Sequence, residues 1–454
     1  MKAIIDQQRA YFNSNITKDI KFRIKQLRKL QHALKQNEKL LFDAIYQDFK
    51  KSEFDCYTNE LAWVYHDIRE AIKKVRLWSR TKRVKTNLVN FPSKSYIIPE
   101  PLGVTLTIGA WNYPYLLSFA PVVAAIAAGN TVILKPSELP ENTSNAIAKI
   151  ISDHFEDNYF AVVEGGISET TELLQFKFDK IFFTGSVPVG KIIYQAAAKH
   201  LTPVTLELGG KSPAFVTEDC NLQMAVKRLV WAKFLNAGQT CISPDYILVH
   251  ESIKEKFLQL AKLEIENSFF SIENGNYVQI INEQNTQRIA HLIVKDKVYH
   301  GGSYNIAERY IEPTILTDIT FEDAVMNDEI FGPIMPVISY QDLDETISLV
   351  KSKPKPLACY IFSNNSPTQK KILHEISFGG GGVNEAVLHI TNTNMGYGGV
   401  GDSGMGTYHG EEGFKTFSHF KSILDKPTWF ELNLKYYPHT IRKLTLIKLI
   451  LGQK

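Results

Sequence analysis

The chain reads as an α/β protein made of two doubly wound units, each a mainly parallel sheet with helices on both faces. Six short apolar runs, VTLTIGA, TVILKP, FAVVEGG, KIFFTG, PVTLELGG and PAFVT, are separated by segments of roughly helical length. Parallel sheets with crossover helices produce that alternation. A second series, YILVHE, PTILTDI, MPVISY and LACYIFS, follows Lys211 and marks the second unit. The length of 454 residues has room for both and for smaller additions, at a prior of roughly 150 residues per domain.

Taken in order, the first element is a helix with Ile20, Ile24, Leu27, Leu30 and Leu34 on one stripe, and residues 61–78 continue in the same style. Both read as packing helices. Seven basic residues and no acid lie within residues 73–85. That run is read as a solvated helix end and linker, with an anionic surface or partner as the alternative. Residues 101–134 contain no charged side chain and are long enough to span a bilayer. The punctuation decides otherwise: a β-rich run, the break WNYP, a small-residue helix containing a proline, and a strand halted by Lys-Pro make a buried strand, helix, strand unit. Glycine concentrates in FGGGGVNEAV and MGYGGVGDSGMG, where interleaved aliphatic and aromatic residues suit turns and close backbone approach better than a linker.

Composition narrows the function. With 44% hydrophobic and 22% charged residues the chain is of soluble globular type, and a net charge of +3 gives no global case for nucleic acid. The N-terminal apolar run of three residues is too short for a signal-peptide core, so export is not expected. Cys56, Cys220, Cys241 and Cys359 show neither CxxC pairing nor metal spacing. A reduced, cytoplasmic setting without a metal site is expected.

Two stretches point to a nucleotide. KIFFTGSVPVGKII is a strand entering a glycine turn that opens a helix. Gly185 permits the turn, Gly190 permits close approach, and unclaimed N–H groups at the helix start can bind a pyrophosphate. It lacks the middle glycine of GxGxxG and has Ile192 where a P-loop needs Ser or Thr, which argues against a triphosphatase. Lys135 and Glu138, in LKPSE, follow a strand end where such sheets place ligands. A carboxylate there can accept from ribose hydroxyls and a lysine can donate to one; taken alone, the two read as a surface ion pair.

Seven stretches in order, WNYP, AAGNTVILKPSE, FTGSVPVG, LELGGKSP, NAGQTC, EIFGP and GGVGDSGMG, together resemble the aldehyde dehydrogenase superfamily across residues 15–425. CISPDY resembles the CxxPDY of its class 3 branch, which includes fatty aldehyde dehydrogenases, and KYYP near the end is similar to that branch's RYPP. Departures occur at Ser243, at Val278-Gln279, and at Met395-Gly396-Tyr397 in place of Leu-Pro-Phe. None of these is expected at a catalytic position, but the last is expected to be able to reshape the substrate mouth.

The resemblance implies two Rossmann-like domains and a small β oligomerisation arm. Residues 1–80 and 100–208 would bind NAD, residues 209–391 would carry the nucleophile, residues 81–99 and 392–425 would form an oligomerisation sheet, and residues 426–454 would be a basic, apolar tail. It also implies roles. Cys241 adds to an aldehyde to give a thiohemiacetal, because a trigonal aldehyde carbon cannot surrender hydride. A free thiol of pKa ~8.5 is mostly protonated at neutral pH, so Cys241 needs help to ionise. Asn112 and the Cys241 N–H serve the oxyanion. Glu207 activates the water that hydrolyses the thioester, which calls for burial to raise its pKa. Gly185, Ser186 and Gly190 hold the pyrophosphate, Lys135 and Glu138 the adenosine ribose, Glu329 the nicotinamide ribose, and Phe331 packs nearby.

The implied reaction is NAD-dependent oxidation of a medium or long aliphatic, aromatic or apocarotenoid-type aldehyde to its acid, with NADP as the alternative cofactor. The rivals are transfer of the acyl group to coenzyme A or phosphate, and a cysteine acyltransferase or peptidase without nicotinamide, for which no His partner motif is visible. A homodimer is implied by the branch. After Glu431 the chain has no acid, has Lys435, Arg442, Lys443, Lys448 and Lys454, and places Ile441, Leu444, Ile447 and Leu451 on one helical face. Docking over the substrate funnel or on a partner subunit is one reading, and peripheral membrane contact is the other.

Overall fold

The computed structural model describes residues 1–452 and shows the two doubly wound sheets. Lys454, counted above among the tail's basic residues, lies outside the described residues. The first sheet runs in the order Gly404–Met405, Val204–Glu207, Lys180–Thr184, Val104–Ile108, Thr131–Lys135, Phe160–Val162. Its five longer strands are parallel, and Gly404–Met405 closes one edge antiparallel to Val204–Glu207. The second sheet has seven strands in the order Val298–His300, Thr314–Leu316, Ile334–Tyr340, Tyr246–His250, Pro213–Val216, Ala358–Phe362, Gly380–Val383, all parallel except the first.

The uncharged stretch resolves into the strand Val104–Ile108, the helix Pro114–Ala128 and the strand Thr131–Lys135. Because the helix is apolar nearly all round, it sits inside the protein, under the helices Ile20–Gln36 and Ala62–Trp78. It starts on Pro114, whose missing N–H costs nothing in a first turn, and stops at Gly129, which takes φ +98° against the Arg23 guanidinium. The predicted stripe packs as expected: Ile24, Leu27, Leu30 and Leu34 are buried. Fully burying one such side chain contributes about 1.5–3 kcal/mol.

A third, antiparallel sheet orders Lys82–Val84, Lys94–Pro101 and Ser418–Asp425. Residues 81–99, which the resemblance assigns to an oligomerisation sheet, are divided by a short helical turn at Leu88–Asn90. Residues 392–425, read as one piece, also divide. Gly404 and Met405 join the first sheet, and only Ser418–Asp425 joins the arm. Glycine is the reason: a Cβ on Gly399 would stand 2.1 Å from the Ser403 carbonyl, so only bare backbone fits at this edge.

The tail ends in the helix Ile441–Ile450, with Ile441, Leu444 and Leu449 exposed and Ile447 half-buried. No helix among the described residues is long and apolar enough to cross a membrane.

Candidate active site

Cys241 is held by a loop of unusual backbone. Asn236, Ala237 and Gly238 all adopt left-handed φ, at 54°, 52° and 71°. For the two non-glycine residues this costs about 1–3 kcal/mol each, and the side chains of the same motif offset it. Asn236 Nδ2 donates to the carbonyls of Asn112, at 2.9 Å, and Gln239, at 3.1 Å. Gln239 Nε2 donates back to the Asn236 carbonyl at 3.1 Å, while its Oε1 accepts the Ile281 N–H at 2.9 Å. The Thr240 and Tyr113 hydroxyls meet at 2.7 Å. NAGQTC is thus a self-bracing loop locked to the Asn112 turn.

The segment ISPDY anchors the other side. The Tyr360 hydroxyl donates to the Ile242 carbonyl at 2.6 Å. Ser243 Oγ approaches the carbonyls of Ala232 and Lys233 at 3.5 Å. Asp245 forms an ion pair with Lys211 and accepts the Ile330 N–H at 3.0 Å, fixing the backbone next to Glu329. Sequence reasoning missed Asp245 and Lys211, which hold EIFGP against the Cys241 segment. The signal was there in PDY and LGGK, but the pairing spans 34 residues of chain.

Glu207 ends its strand, buried, and among the described residues neither carboxylate oxygen has a hydrogen-bond partner. Burial pushes its pKa well above the ordinary carboxylate range. Cys241 is half-buried, and desolvation pushes its thiol up to about 12; nearby Glu329 and Glu207 push the same way, and a contact with Tyr397 opposes them. That contact overturns the expectation that Met395-Gly396-Tyr397 lies away from catalytic positions. Tyr397 Oη stands 3.5 Å from Cys241 Sγ, because its strand-like pairing with Tyr408 carries the glycine-rich stretch across the site.

Asn112 is buried, and its Nδ2 donates to the Gln239 carbonyl at 3.1 Å, two residues from the sulfur. Glu329 is pushed up to about 8, by burial first and Asp245 second, with Lys211 opposing. It packs on the glycine pair after Glu207: a Cβ on Gly209 would come within 2.1 Å of Glu329 Oε2. Phe331, at φ +49°, meets the Trp111 ring edge-on with centroids 5.2 Å apart. Cys241, Glu207, Asn112, Glu329 and Phe331 therefore converge.

The remaining candidates line the carboxyl ends of the first sheet. Lys135 is 2% exposed, and its Nζ donates to Glu138 Oε2 at 2.9 Å, while the Glu138 side chain is 44% exposed. Gly185 leads into the helix Val187–Ala198, whose extended N-cap, Ser186, makes no side-chain cap bond. The first-turn N–H groups are thus left to a ligand, as an anion requires. The close approach at Gly190 is to protein: a Cβ there would meet Leu208 at 2.7 Å, so this glycine seats the helix against the residue after Glu207.

A half-buried thiol near a buried carboxylate that has no hydrogen-bond partner among the described residues, with a phosphate-type turn at the strand ends of the sheet that carries that carboxylate, suits acyl chemistry at a cysteine. A family model described as "Aldehyde dehydrogenase family" matches residues 1–423. The chain belongs to the aldehyde dehydrogenase family. It is similar to the 4,4'-diaponeurosporen-aldehyde dehydrogenase of Staphylococcus aureus, at 45% identity over 96% of this chain and 97% of that one. It is also similar to the dimeric NADP-preferring aldehyde dehydrogenase of Canis lupus familiaris, at 44% identity over 97% and 98%. A solved substrate-bound state of Staphylococcus aureus AldH superposes with a TM-score of 0.97 at 43% identity, covering 99% of both chains. The enzyme is an NAD(P)-dependent aldehyde dehydrogenase of the class 3 branch.

Proposed function

We propose that this aldehyde dehydrogenase oxidises lipophilic aldehydes, of medium or long aliphatic, aromatic or apocarotenoid type, to carboxylic acids through Cys241. The observation that carries the reading is the buried Glu207 carboxyl, without a hydrogen-bond partner among the described residues, close to the half-buried Cys241 thiol. Cys241 adds to the aldehyde carbon, with Asn112 Nδ2 and the Cys241 N–H as oxyanion donors, each such donor contributing roughly 100- to 1,000-fold in rate. The bound nicotinamide supplies the hydride acceptor. Glu207, its basicity raised by burial, takes a proton from the water that cleaves the thioester.

For the cofactor, Lys135 and Glu138 hold the adenosine ribose, Gly185, Ser186 and Gly190 form the pyrophosphate turn, and Glu329 with Phe331 frames the nicotinamide end. Residues 1–80 and 100–208 thus serve as the NAD-binding domain and residues 209–391 as the catalytic domain. The half-exposed Glu138 carboxylate disfavours a 2′-phosphate, which supports NAD over NADP.

Hydrolysis is favoured over transfer to coenzyme A or phosphate because Glu207 is in place to activate water. NADH release from a series of aldehydes of increasing chain length, without coenzyme A or phosphate, tests both points. The Cys241→Ser variant should lose turnover while still binding NAD. The Glu207→Gln variant should give one burst of NADH and then stop, and an unchanged steady-state rate would remove Glu207 from the mechanism.

A homodimer forms, on this reading, through the arm. Ser418–Asp425 is an edge strand of eight residues with Phe420 and Leu424 exposed, so its outer N–H and C=O groups are open to a second copy. Light scattering of a Phe420→Asp, Leu424→Asp variant should then report monomers. In the cytoplasmic setting proposed here, the tail helix Ile441–Ile450 touches the membrane, where a lipophilic aldehyde would be delivered; its exposed Ile and Leu side chains beside Arg442, Lys443 and Lys448 support this. Vesicle flotation with and without residues 440–454 tests it.

A further inference from the structure

Burial alone would leave Cys241 an unreactive thiol, so what counters it matters. A cysteine nucleophile is commonly ionised by an imidazolium. Here the two nearby histidines are driven toward neutrality by burial, His389 down to about 4 and His409 also downward. Of the other phenols around the sulfur, Tyr113 is engaged with Thr240 and Tyr360 with the Ile242 carbonyl. Tyr397 is the one whose hydroxyl reaches the sulfur, at 3.5 Å.

We propose that Tyr397 is a catalytic residue of this enzyme, its phenol donating a hydrogen bond to Cys241 Sγ and stabilising the attacking thiolate. The proposal rests on the reading of Cys241 as the nucleophile. A thiolate can only accept, so the phenol must keep its proton, and its surroundings see to that. Burial, with Cys241 and Glu207 adding, holds the Tyr397 pKa well above its ordinary value. The thiol proton leaves for water. On attack the sulfur–carbon bond forms and the carbonyl π pair moves to oxygen, so the phenol supports the nucleophile before the step and loses its anionic acceptor after it.

Geometry keeps the hydroxyl in place. The Tyr397 and Tyr408 backbones exchange N–H to carbonyl bonds of 2.9 and 2.8 Å. The Tyr397 ring stacks on His409 at 5.4 Å between centroids and meets Tyr408 edge-on at 5.8 Å. The titratable groups facing the sulfur are Glu207 and Glu329, each opposing thiol ionisation when it carries charge, and the phenols of Tyr113, Tyr360 and Tyr408 surround it. A donor on Sγ acts against both carboxylates.

Tyr397→Phe keeps the ring and removes only the hydroxyl. Alkylation of the enzyme by iodoacetamide, without aldehyde or cofactor and corrected with Cys241→Ser for the other thiols, reads the thiolate directly. Charge-assisted hydrogen bonds are the strong ones, so the alkylation midpoint should rise by about one pH unit, and the rate near neutral pH should fall on the order of tenfold. The kcat/KM for aldehyde should fall alongside and recover as the pH is raised. A residue that only braces the fold would lower kcat/KM at every pH without moving the midpoint. An unmoved midpoint overturns the proposal even if turnover falls. Ultraviolet titration of the thiolate, parent minus Cys241→Ser, against the same difference in the Tyr397→Phe background, provides a second readout. If Cys241→Ser keeps full turnover, the nucleophile assignment itself fails, which is a separate outcome.

Discussion

Lys51 Nζ lies 2.8 Å from Glu60 Oε1 with both side chains wholly buried, and the other Glu60 oxygen accepts the Tyr115 N–H, also at 2.8 Å. That N–H belongs to the first turn of the helix Pro114–Ala128, three residues after Asn112. Lys51 also lies over the Tyr113 ring, 4.8 Å from its centroid, and Tyr113 reaches Thr240 beside Cys241. One buried ion pair thus ties the outer helical layer to both the oxyanion turn and the Cys241 loop.

Removing one partner should expose how much rests on it. Glu60→Gln leaves the Lys51 ammonium buried without a counter-charge, which typically costs about 3–5 kcal/mol. It should lower the denaturant midpoint sharply and reduce kcat through the shifted Asn112 turn. Adding Lys51→Met removes the stranded charge, so the double variant should regain most of the stability but less of the kcat. If the double variant is no more stable than Glu60→Gln, the pair is not what holds the helix start.

Glu207 makes stability depend on pH in a defined direction. Its folded-state pKa is raised by burial, so the proton binds more tightly in the folded state than in the unfolded chain. The stability from that protonation is fully present below the ordinary carboxylate pKa of ~4.3 and is lost as pH rises through the raised value. Glu207→Gln carries no charge at any pH. Thermal melts should therefore show the variant gaining on the parent as pH increases from about 5 to 9, and a constant gap between the two would contradict a buried, neutral-leaning Glu207.

Local pattern carried much of this into view from the sequence. The uncharged stretch resolved as strand, helix and strand because apolar runs broken by WNYP and Lys-Pro are short-range signals. Cys241 and Glu207 were legible because their motifs are contiguous. The rest of the site is built from residues far apart in the chain. Tyr397 touches Cys241 across 156 positions, and Glu60 caps the Tyr115 helix across 55. No periodicity or propensity encodes such pairings, which exist only once the two sheets and the outer helices have packed. The same holds for Gly190, whose packing against Leu208 no local pattern announces.

Gly238 should tolerate no side chain. It sits at φ +71°, and a Cβ would stand 2.2 Å from the Gly332 carbonyl oxygen of EIFGP. Backbone cannot yield as a rotamer can, so Gly238→Ala must move the nucleophile loop or the Glu329 segment. The expected result is an enzyme that loses roughly 2 kcal/mol or more of stability and most of its kcat, measured by denaturant unfolding and by NADH release. Retained kcat would mean the loop has slack that its bracing does not suggest.

Cofactor choice should respond to a single oxygen. The Glu138 carboxylate is 44% exposed and holds Lys135 Nζ at 2.9 Å. A 2′-phosphate placed on the adenosine ribose there meets a negative charge and finds the nearest ammonium already occupied. Two unit charges about 4 Å apart repel by ~1 kcal/mol in water and up to ~4 kcal/mol at an effective dielectric of 20. With Glu138 nearly half exposed the lower end applies, which is near a fivefold effect. Glu138→Gln removes the repulsion and frees Lys135 to donate to the phosphate. The ratio of kcat/KM for NADP to that for NAD should rise about fivefold or more, and it should fall back when Lys135→Met is added. A ratio unmoved by Glu138→Gln would place the ribose elsewhere along the sheet, and with it the NAD preference argued from this pair.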